Sequence, residues 1–443
     1  MPNNNCIRTL LNIPDKNIIF DNNSVSKTVT NGITYTTVDA VLTYKPKCCP
    51  KCGCVNENYS ITKHSFTKCS VKYNKIVNSP CIINLKKQRF SCKECKATFM
   101  AETSLVNKHC QISNSLHAEI SQEAEKIQSI KDIAERHYVS WHTVNRIIRK
   151  NADAFNNYFS YLPEVLSFDE FKSVKCVTAS MSFIYADGRT NEPIDIIRNR
   201  QQWYVINHFL KYPLEVRKNV KYVTMDMYSP YMGVVEECFP NAEIIIDRFH
   251  VVQHLNRSLN RIRIETMNSI KYSRPSDARK LKKDWKLILK NEDELSCDKY
   301  FTDRLYLGMV SEQTKVDYLL SLNPKLEQAY TIINDLKYDI KHHDADAFSF
   351  DLMESKKIPL RKYIRSTLQT LERYQDYIGN ALYLTLSNGH LEGINNKIKT
   401  IKRVSYGYTN FDNFRARVLC SFKTTIRPRT IRPLSFAEEA VPA

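Results

Sequence analysis

The sequence has little glycine: nine residues in 443. No glycine-rich phosphate loop can be found among them, which argues against a nucleotide-cradling site. It has no run of about 18 apolar residues, so no membrane span is expected. The first residues, Met1 to Cys6, lack the charged and apolar regions of a signal peptide. The chain therefore reads as intracellular and cytoplasmic. No internal repeat is present. Acidic residues are the minority, 47 against 65 Lys and Arg, which leaves a net charge of +18 and a pI near 9.2. That excess fits a polyanionic partner, nucleic acid or an acidic membrane surface. Hydrophobic and charged contents of 42% and 25% are ordinary for globular protein, and the length allows two to four domains.

Cysteine is abundant, at fourteen residues. In a reducing compartment these are metal ligands or buried thiols rather than disulfides. Cys49-Pro50-Lys51-Cys52 and Cys92-Lys93-Glu94-Cys95 are two C-x-x-C pairs. Together they can give four thiolates to one structural, tetrahedral Zn2+. Gly53 allows the tight turn after the first pair. The gap between the pairs exceeds that of a compact ribbon and holds strand-like sequence, so residues 46–100 are expected to form a zinc ribbon with an enlarged hairpin. Four buried cysteines are the plain alternative. Cys48, Cys54, Cys69 and Cys81 leave the ligand assignment open. Residues 1–45 form an N-terminal segment with room for a strand or two near Ile33–Val41.

Residues 111–152 predict a helix-turn-helix. Ile130–Tyr138 is the first helix, Val139-Ser140 the turn with Ser140 as N-cap, and Trp141–Lys150 the second helix. Val139, Val144 and Ile147 would pack the joint. Trp141, His142, Asn145 and Arg146 would face bases in the major groove. An ordinary helical hairpin is the alternative.

From residue 160 to 264 the pattern is strand, strand, strand, then helix-strand-helix-strand-helix, an α/β sheet. Asp169 lies in the first strand. Asp226 and Asp247 each end a later strand, where such sheets place their sites. Residues 265–384 predict an all-helical block, with Leu326, Ala329, Tyr330, Ile333 and Leu336 on one face and Ile364, Leu368, Leu371 and Ile378 on another. The basic cluster Arg279–Lys283 reads as a solvated helix face before a DNA contact. Residues 385–425 open with Asn388-Gly389 and a helix whose apolar stripe is Leu391, Ile394, Ile398 and Ile401. Glu392 leads that helix, and Lys397, Lys399, Lys402 and Arg403 follow on its polar side. From Gly393 to Leu434 there are ten Lys and Arg against one acid, interleaved with aromatics, which fits a nucleic-acid groove. Residues 426–443 read as a tail.

Asp169, Asp226 and Glu392 can converge from distant segments to hold two Mg2+ or Mn2+ ions about 3.5–4 Å apart and drive in-line phosphodiester displacement. Each also has a structural reading: a turn cap, a strand-edge charge, an acid at a helix N-terminus. Asp247 is the weakest claimant of the acids. His250 and His254, one helical turn apart, could instead pair on zinc with Asp247.

The order of these features resembles the DDE transposases of bacterial insertion sequences, of the ISL-three type. The residues that carry it are the paired C-x-x-C ribbon, the helix-turn-helix, Ser167-Phe168-Asp169-Glu170-Phe171, Val223-Thr224-Met225-Asp226-Met227, Ile246-Asp247-Arg248-Phe249-His250, the Ser387–Lys399 segment around Glu392, and Tyr406-Gly407-Tyr408. The resemblance spans most of the chain and is most specific around Glu392. It implies an RNase H-like mixed sheet with a helical insertion, an Asp169–Asp226–Glu392 triad, and zinc on Cys49, Cys52, Cys92 and Cys95. It further implies double-stranded DNA as partner (terminal inverted repeats and target), a homo-oligomer on that DNA, and a nucleoid-associated location. Two rivals remain: a non-catalytic DNA-binding regulator derived from a transposase, and a metal-dependent nuclease that cuts without joining.

Overall fold

The computed structural model describes residues 3–154 and 159–422. The predicted tail and the basic residues beyond Phe422 lie outside them. The described chain divides into two compact units, residues 3–154 with 400–422, and residues 159–399.

The first unit opens with α1 (Asn3–Leu10), β1 (Ile18–Thr30) and β2 (Ile33–Leu42), then β3 (Ile61–Ile76), β4 (Ser79–Cys92) and β5 (Thr98–Met100). One sheet joins all five strands in the order β1-β2-β4-β3, with β5 on β4. The β1–β2 hairpin turns on Asn31-Gly32, both with positive φ, which matches the twist of the flanking strands. β2 pairs in parallel with β4. Residues 1–45 are thus part of the cysteine-bearing sheet rather than a separate segment. Phe20, Val38, Leu42, Val71, Ile83, Leu85 and Phe90 form its core.

Next come α2 (Asn114–Glu123), α3 (Ile130–Arg136) and α4 (Trp141–Ala154). Ser129 and Asp132 close a reciprocal capping box at the start of α3. Ser140 accepts from Thr143 N at 3.3 Å, the expected cap of α4. The turn between them passes through Tyr138 at φ +53, and its carbonyl accepts from Lys72 Nζ at 2.9 Å. Val144 and Ile147 are buried in the joint.

The second unit begins with β6 (Val165–Lys172), β7 (Met181–Asp187) and β8 (Pro193–Ile197), an antiparallel meander. After α5 (Gln202–Phe209) and α6 (Leu214–Lys218), β9 (Tyr222–Met225) pairs in parallel with β6. α7 (Ser229–Cys238) leads to β10 (Glu243–Ile246), parallel to β9, and α8 (Arg248–Ile270) follows. The sheet order is β10-β9-β6-β7-β8.

The block after α8 contains α9 (Pro275–Lys283) and α10 (Trp285–Leu289), the short strands β11 (Phe301–Asp303) and β12 (Gly308–Val310), then α11 (Glu312–Ser321), α12 (Pro324–His342), α13 (Ala345–Ser355), α14 (Lys362–Arg373) and α15 (Gln375–Tyr383). The expectation of an all-helical block is corrected by the β11–β12 hairpin. Three residues per strand are too few to show an alternation. Asp303 at the hairpin's end is buried and takes ion pairs from Lys283 at 2.8 Å and Lys315 at 2.5 Å. Lys280 is buried against Asp277 at 3.0 Å. Two cations of the 279–283 cluster are therefore structural. Both predicted apolar faces of the block are buried in one core with the sheet.

α16 (Gly389–Val404) begins in the second unit and ends in the first, and α17 (Phe411–Phe422) lies wholly in the first. Residues 400–422, expected with the catalytic sheet, fold instead against the helix-turn-helix. Ala416 and Cys420 share the core of α3 and α4. Arg417 is fully buried and donates to the carbonyls of Ala124, Lys126 (2.5 Å) and Gln128 (3.1 Å), the acceptors just past the end of α2. A cation there also suits the helix dipole. Arg417→Met leaves these buried carbonyls without donors and should lower stability by about 3 kcal/mol. Urea unfolding of the full chain followed by circular dichroism checks it; an unchanged midpoint would show the contacts contribute nothing.

Candidate active site and metal centre

In the second unit, β6, β9 and β10 run parallel and present their carboxyl ends together. Asp169 sits in β6, Asp226 directly follows β9, and Asp247 directly follows β10. The parallel register sets Met225 beside Ile246, and Asp247 N donates to Met225 O at 2.9 Å. The two strand-end aspartates are thereby neighbours. His250, in the first turn of α8, places Nε2 2.9 Å from Asp226 Oδ1. The hydrogen bond to Asp226 raises the histidine's pKa in spite of its burial. Burial pushes the Asp169 carboxyl up to about 7, and the charges of Asp226 and Glu170 add to it. Burial likewise raises Asp247.

Two asparagines fix α16 to this edge. Asn388 is buried. Its Nδ2 donates to Phe168 O at 2.7 Å, and its Oδ1 accepts from Thr224 Oγ1 at 2.9 Å. Thr224 also bonds Ser167 across β6–β9 at 2.7 Å. Asn395 donates to Asp169 Oδ2 at 2.6 Å. The predicted stripe Leu391, Ile394, Ile398 and Ile401 is buried. Glu392 lies in the first turn of α16, exposed, one turn before Asn395. Lys399 and Arg403 are exposed, and Lys397 and Lys402 half-exposed, further along the helix.

Among the described residues, ligand atoms of Asp226, Asp247 and His250 come within 4.8 Å of one another. Asp169, Asp226 and Glu392 do not form such a group. Sequence reasoning ranked Asp247 last and considered His254 with His250; His254 is not drawn into the cluster. The sign in the sequence was two successive buried strands, Tyr222–Met225 and Glu243–Ile246, each followed by aspartate. Asn395 carried no sign beyond its place on the helix. The donor set suits a hard divalent cation. The group has two carboxylates and one histidine, and beside it the buried Asn395 Oδ1 lacks a partner among the described residues.

The first unit holds the second centre. Sγ atoms of Cys49, Cys52, Cys92 and Cys95 lie within 4.8 Å of one another. Cys49–Cys95 is 3.7 Å and Cys52–Cys92 3.8 Å. Four sulfurs at about 2.3 Å from a tetrahedral zinc are about 3.8 Å apart, so the group fits Zn2+. Backbone N–H groups of Cys52 and Lys51 lower the Cys49 thiol to about 7. At Cys52 the backbone N–H of Cys54 lowers the thiol, but the neighbouring thiols Cys95, Cys49 and Cys92, with burial, push it up to about 12. Cys48, Cys54, Cys69 and Cys81 are not part of the group. In α4, Trp141, His142 and Arg146 are exposed and Asn145 half-exposed.

A family model described as a transposase matches residues 166–418, more than half of the chain. The chain belongs to this transposase family. The matched span takes in β6, β9, α16 and most of α17. The helix-turn-helix domain of transposase family ISL3 matches residues 101–150 of the transposase. The transposase for insertion sequence element IS1001 of Bordetella parapertussis is 24% identical over 392 residues, 87% of this chain and 91% of that protein. A Lactococcus lactis subsp. lactis protein named an ATP-dependent protease is 36% identical over 113 residues, 26% of the transposase and 36% of that protein. So short a shared stretch carries no activity across. No described helix of the transposase is long and apolar enough to cross a membrane.

Proposed function

We propose that the transposase reads the terminal inverted repeats of its own element through α4, and cleaves and joins DNA at Asp169, Asp226 and Glu392 on an RNase H-like sheet. The observation that carries this is the edge where β6, β9 and the start of α16 meet, with Asn388 and Asn395 fastening the Glu392 helix beside Asp169. Two Mg2+ or Mn2+ ions held by these acids would activate the attacking oxygen and neutralise the leaving one. A clamp for two ions spreads its outer donors wider than a single-ion cage, which suits acids set at separate strand and helix ends.

The residues divide the work. Asn395 orients the Asp169 carboxylate, and His250 orients Asp226. Asn388 fixes the angle at which α16 leaves the sheet. Lys397, Lys399, Lys402 and Arg403 supply positive charge for the phosphates along the helix. In cleavage, water adds to phosphorus as the bond to the 3′-oxygen breaks. In joining, that 3′-hydroxyl adds to a target phosphorus and displaces the target's own 3′-oxygen, so one phosphodiester forms as another is lost. Bringing two ends and a target together calls for at least two copies on DNA.

The test is strand cleavage and joining on duplexes that carry the inverted repeats flanking the gene, with Mg2+. Products cut at the repeat end and joined to target DNA support the proposal. Specific binding with neither product would sink it. Asn395→Ala should slow cleavage by about 30-fold, as misplacement of a reacting group does, with end binding unchanged in a mobility-shift assay. An unchanged rate would make Asn395 a packing residue.

A further inference from the structure

Against the helix-turn-helix the first unit carries a groove of about 750 Å³. One wall is α3 and the start of α4, with Trp141 and Asn145. The other is the loop from Ser405 to Asn410, between α16 and α17. We infer that this loop is a second DNA-reading element, which grips the backbone flanking the base pairs read by α4.

Four observations lead there. Tyr406 is 99% exposed at the loop's tip and holds a left-handed backbone, φ +54, followed by Gly407 at +113. A large aromatic in that conformation strains the fold and buries nothing, so its use lies outside the fold. The loop is nevertheless rigidly anchored. Tyr408 packs on Phe414 at 5.1 Å and bonds Ser405 Oγ at 2.9 Å, and Asn410 caps α17 by accepting from Asn413 N at 3.0 Å. It is registered to the reading helix itself, because Arg149 Nε of α4 donates to Asn413 Oδ1 at 2.6 Å. Finally, its exposed donors are of the kinds that hold phosphate and sugar: a phenol, the Thr409 hydroxyl, an amide and backbone N–H groups. Basic Arg403 stands exposed just before the loop. The groove's acids lie on the α3 wall, each with a local partner. Asp132 is engaged in the α3 capping box and Glu135 pairs with Lys131 at 3.7 Å.

The inference rests on the proposal that α4 reads the element's ends. Full-length wild type, Tyr406→Ala, Tyr406→Phe and Asn145→Ala are compared on a duplex with the flanking inverted repeat and on a scrambled duplex. Binding is read by fluorescence anisotropy, contacts by hydroxyl-radical footprinting. Tyr406→Ala should weaken repeat binding about tenfold, as loss of one hydrogen bond to a charged phosphate does. Protection should shrink at one flank of the site and persist over the base pairs α4 reads. Tyr406→Phe, which keeps the ring and removes the phenol donor, should lose most of the same affinity, and melting temperatures should not change. If Asn145→Ala loses the repeat while Tyr406→Ala keeps both affinity and footprint, the loop inference fails and the reading of α4 stands. If wild type does not distinguish repeat from scrambled DNA, both fail. If Tyr406→Ala alters only the oligomeric state in light scattering, the groove is a protein interface and the inference is overturned.

Discussion

Glu392→Gln should lower strand cleavage at the element's end by about a thousandfold or more, equivalent to about 4 kcal/mol of lost transition-state stabilisation. The substitution keeps the shape, exchanges one acceptor oxygen for an amide donor and removes the charge. Glu392 is exposed at the first turn of α16, so the fold loses at most the interaction of an acid with the helix dipole, about 0.3–1 kcal/mol. Repeat binding should be retained, because recognition is assigned to the other unit. Asp169→Asn and Asp226→Asn should be as severe. Asp247→Asn supplies the contrast. Asp247 heads α8 and neighbours Asp226, but a clamp built on Asp169, Asp226 and Glu392 does not need its charge, so cleavage should fall by no more than about tenfold. Cleavage gels with Mg2+, run beside mobility shifts, measure all four. The reverse ranking, a harmless Glu392→Gln and a lethal Asp247→Asn, would put the working ion in the Asp226–Asp247–His250 group and remove Glu392 from the chemistry.

That ranking also marks where sequence patterns inform and where they stop. The stripe Leu391, Ile394, Ile398 and Ile401 was legible because helical period alone predicts a buried face, and all four are buried. The paired C-x-x-C motifs and the cap at Ser140 are equally local. Pairing between distant segments was not. Nothing in Ile33–Leu42 announces a parallel partnership with β4, since alternation specifies a face and not a neighbour. α17 shows the same limit. Its amphipathic pattern predicts burial without naming the partner. Counting Arg417 as one more groove cation mistook a structural donor for a surface one: charge tallies give sign, not position. The closeness of Asp247 to Asp226 was hidden for a related reason. It comes from strand register, which the sequence does not print.

Removing zinc from the first unit should abolish its fold, and with it end recognition. The two cysteine turns are built alike. Gly53 follows Cys52 at φ +74 and Lys96 follows Cys95 at φ +57, while Cys49 N donates to Cys54 O at 2.8 Å and Cys92 N to Ala97 O at 2.9 Å. Each turn offers two thiols to the same point, and without a cation four sulfurs would crowd there with nothing to hold them. Apparent binding energies of structural zinc are about 10–16 kcal/mol, as large as the whole stability of an ordinary domain, about 5–15 kcal/mol. Cys52→Ser should therefore yield a chain that lacks zinc, melts well below wild type and no longer binds the inverted repeat. Cys54→Ser is the control, because Cys54 stands outside the group with its Sγ on Val55 O at 3.4 Å. Elemental analysis should find one zinc per chain in wild type and in Cys54→Ser. A wild type purified without zinc, or a Cys52→Ser protein that melts and binds as wild type does, would leave the four cysteines as packing and place the rigidity of the sheet in its own core of Phe20, Val71, Ile83 and Phe90.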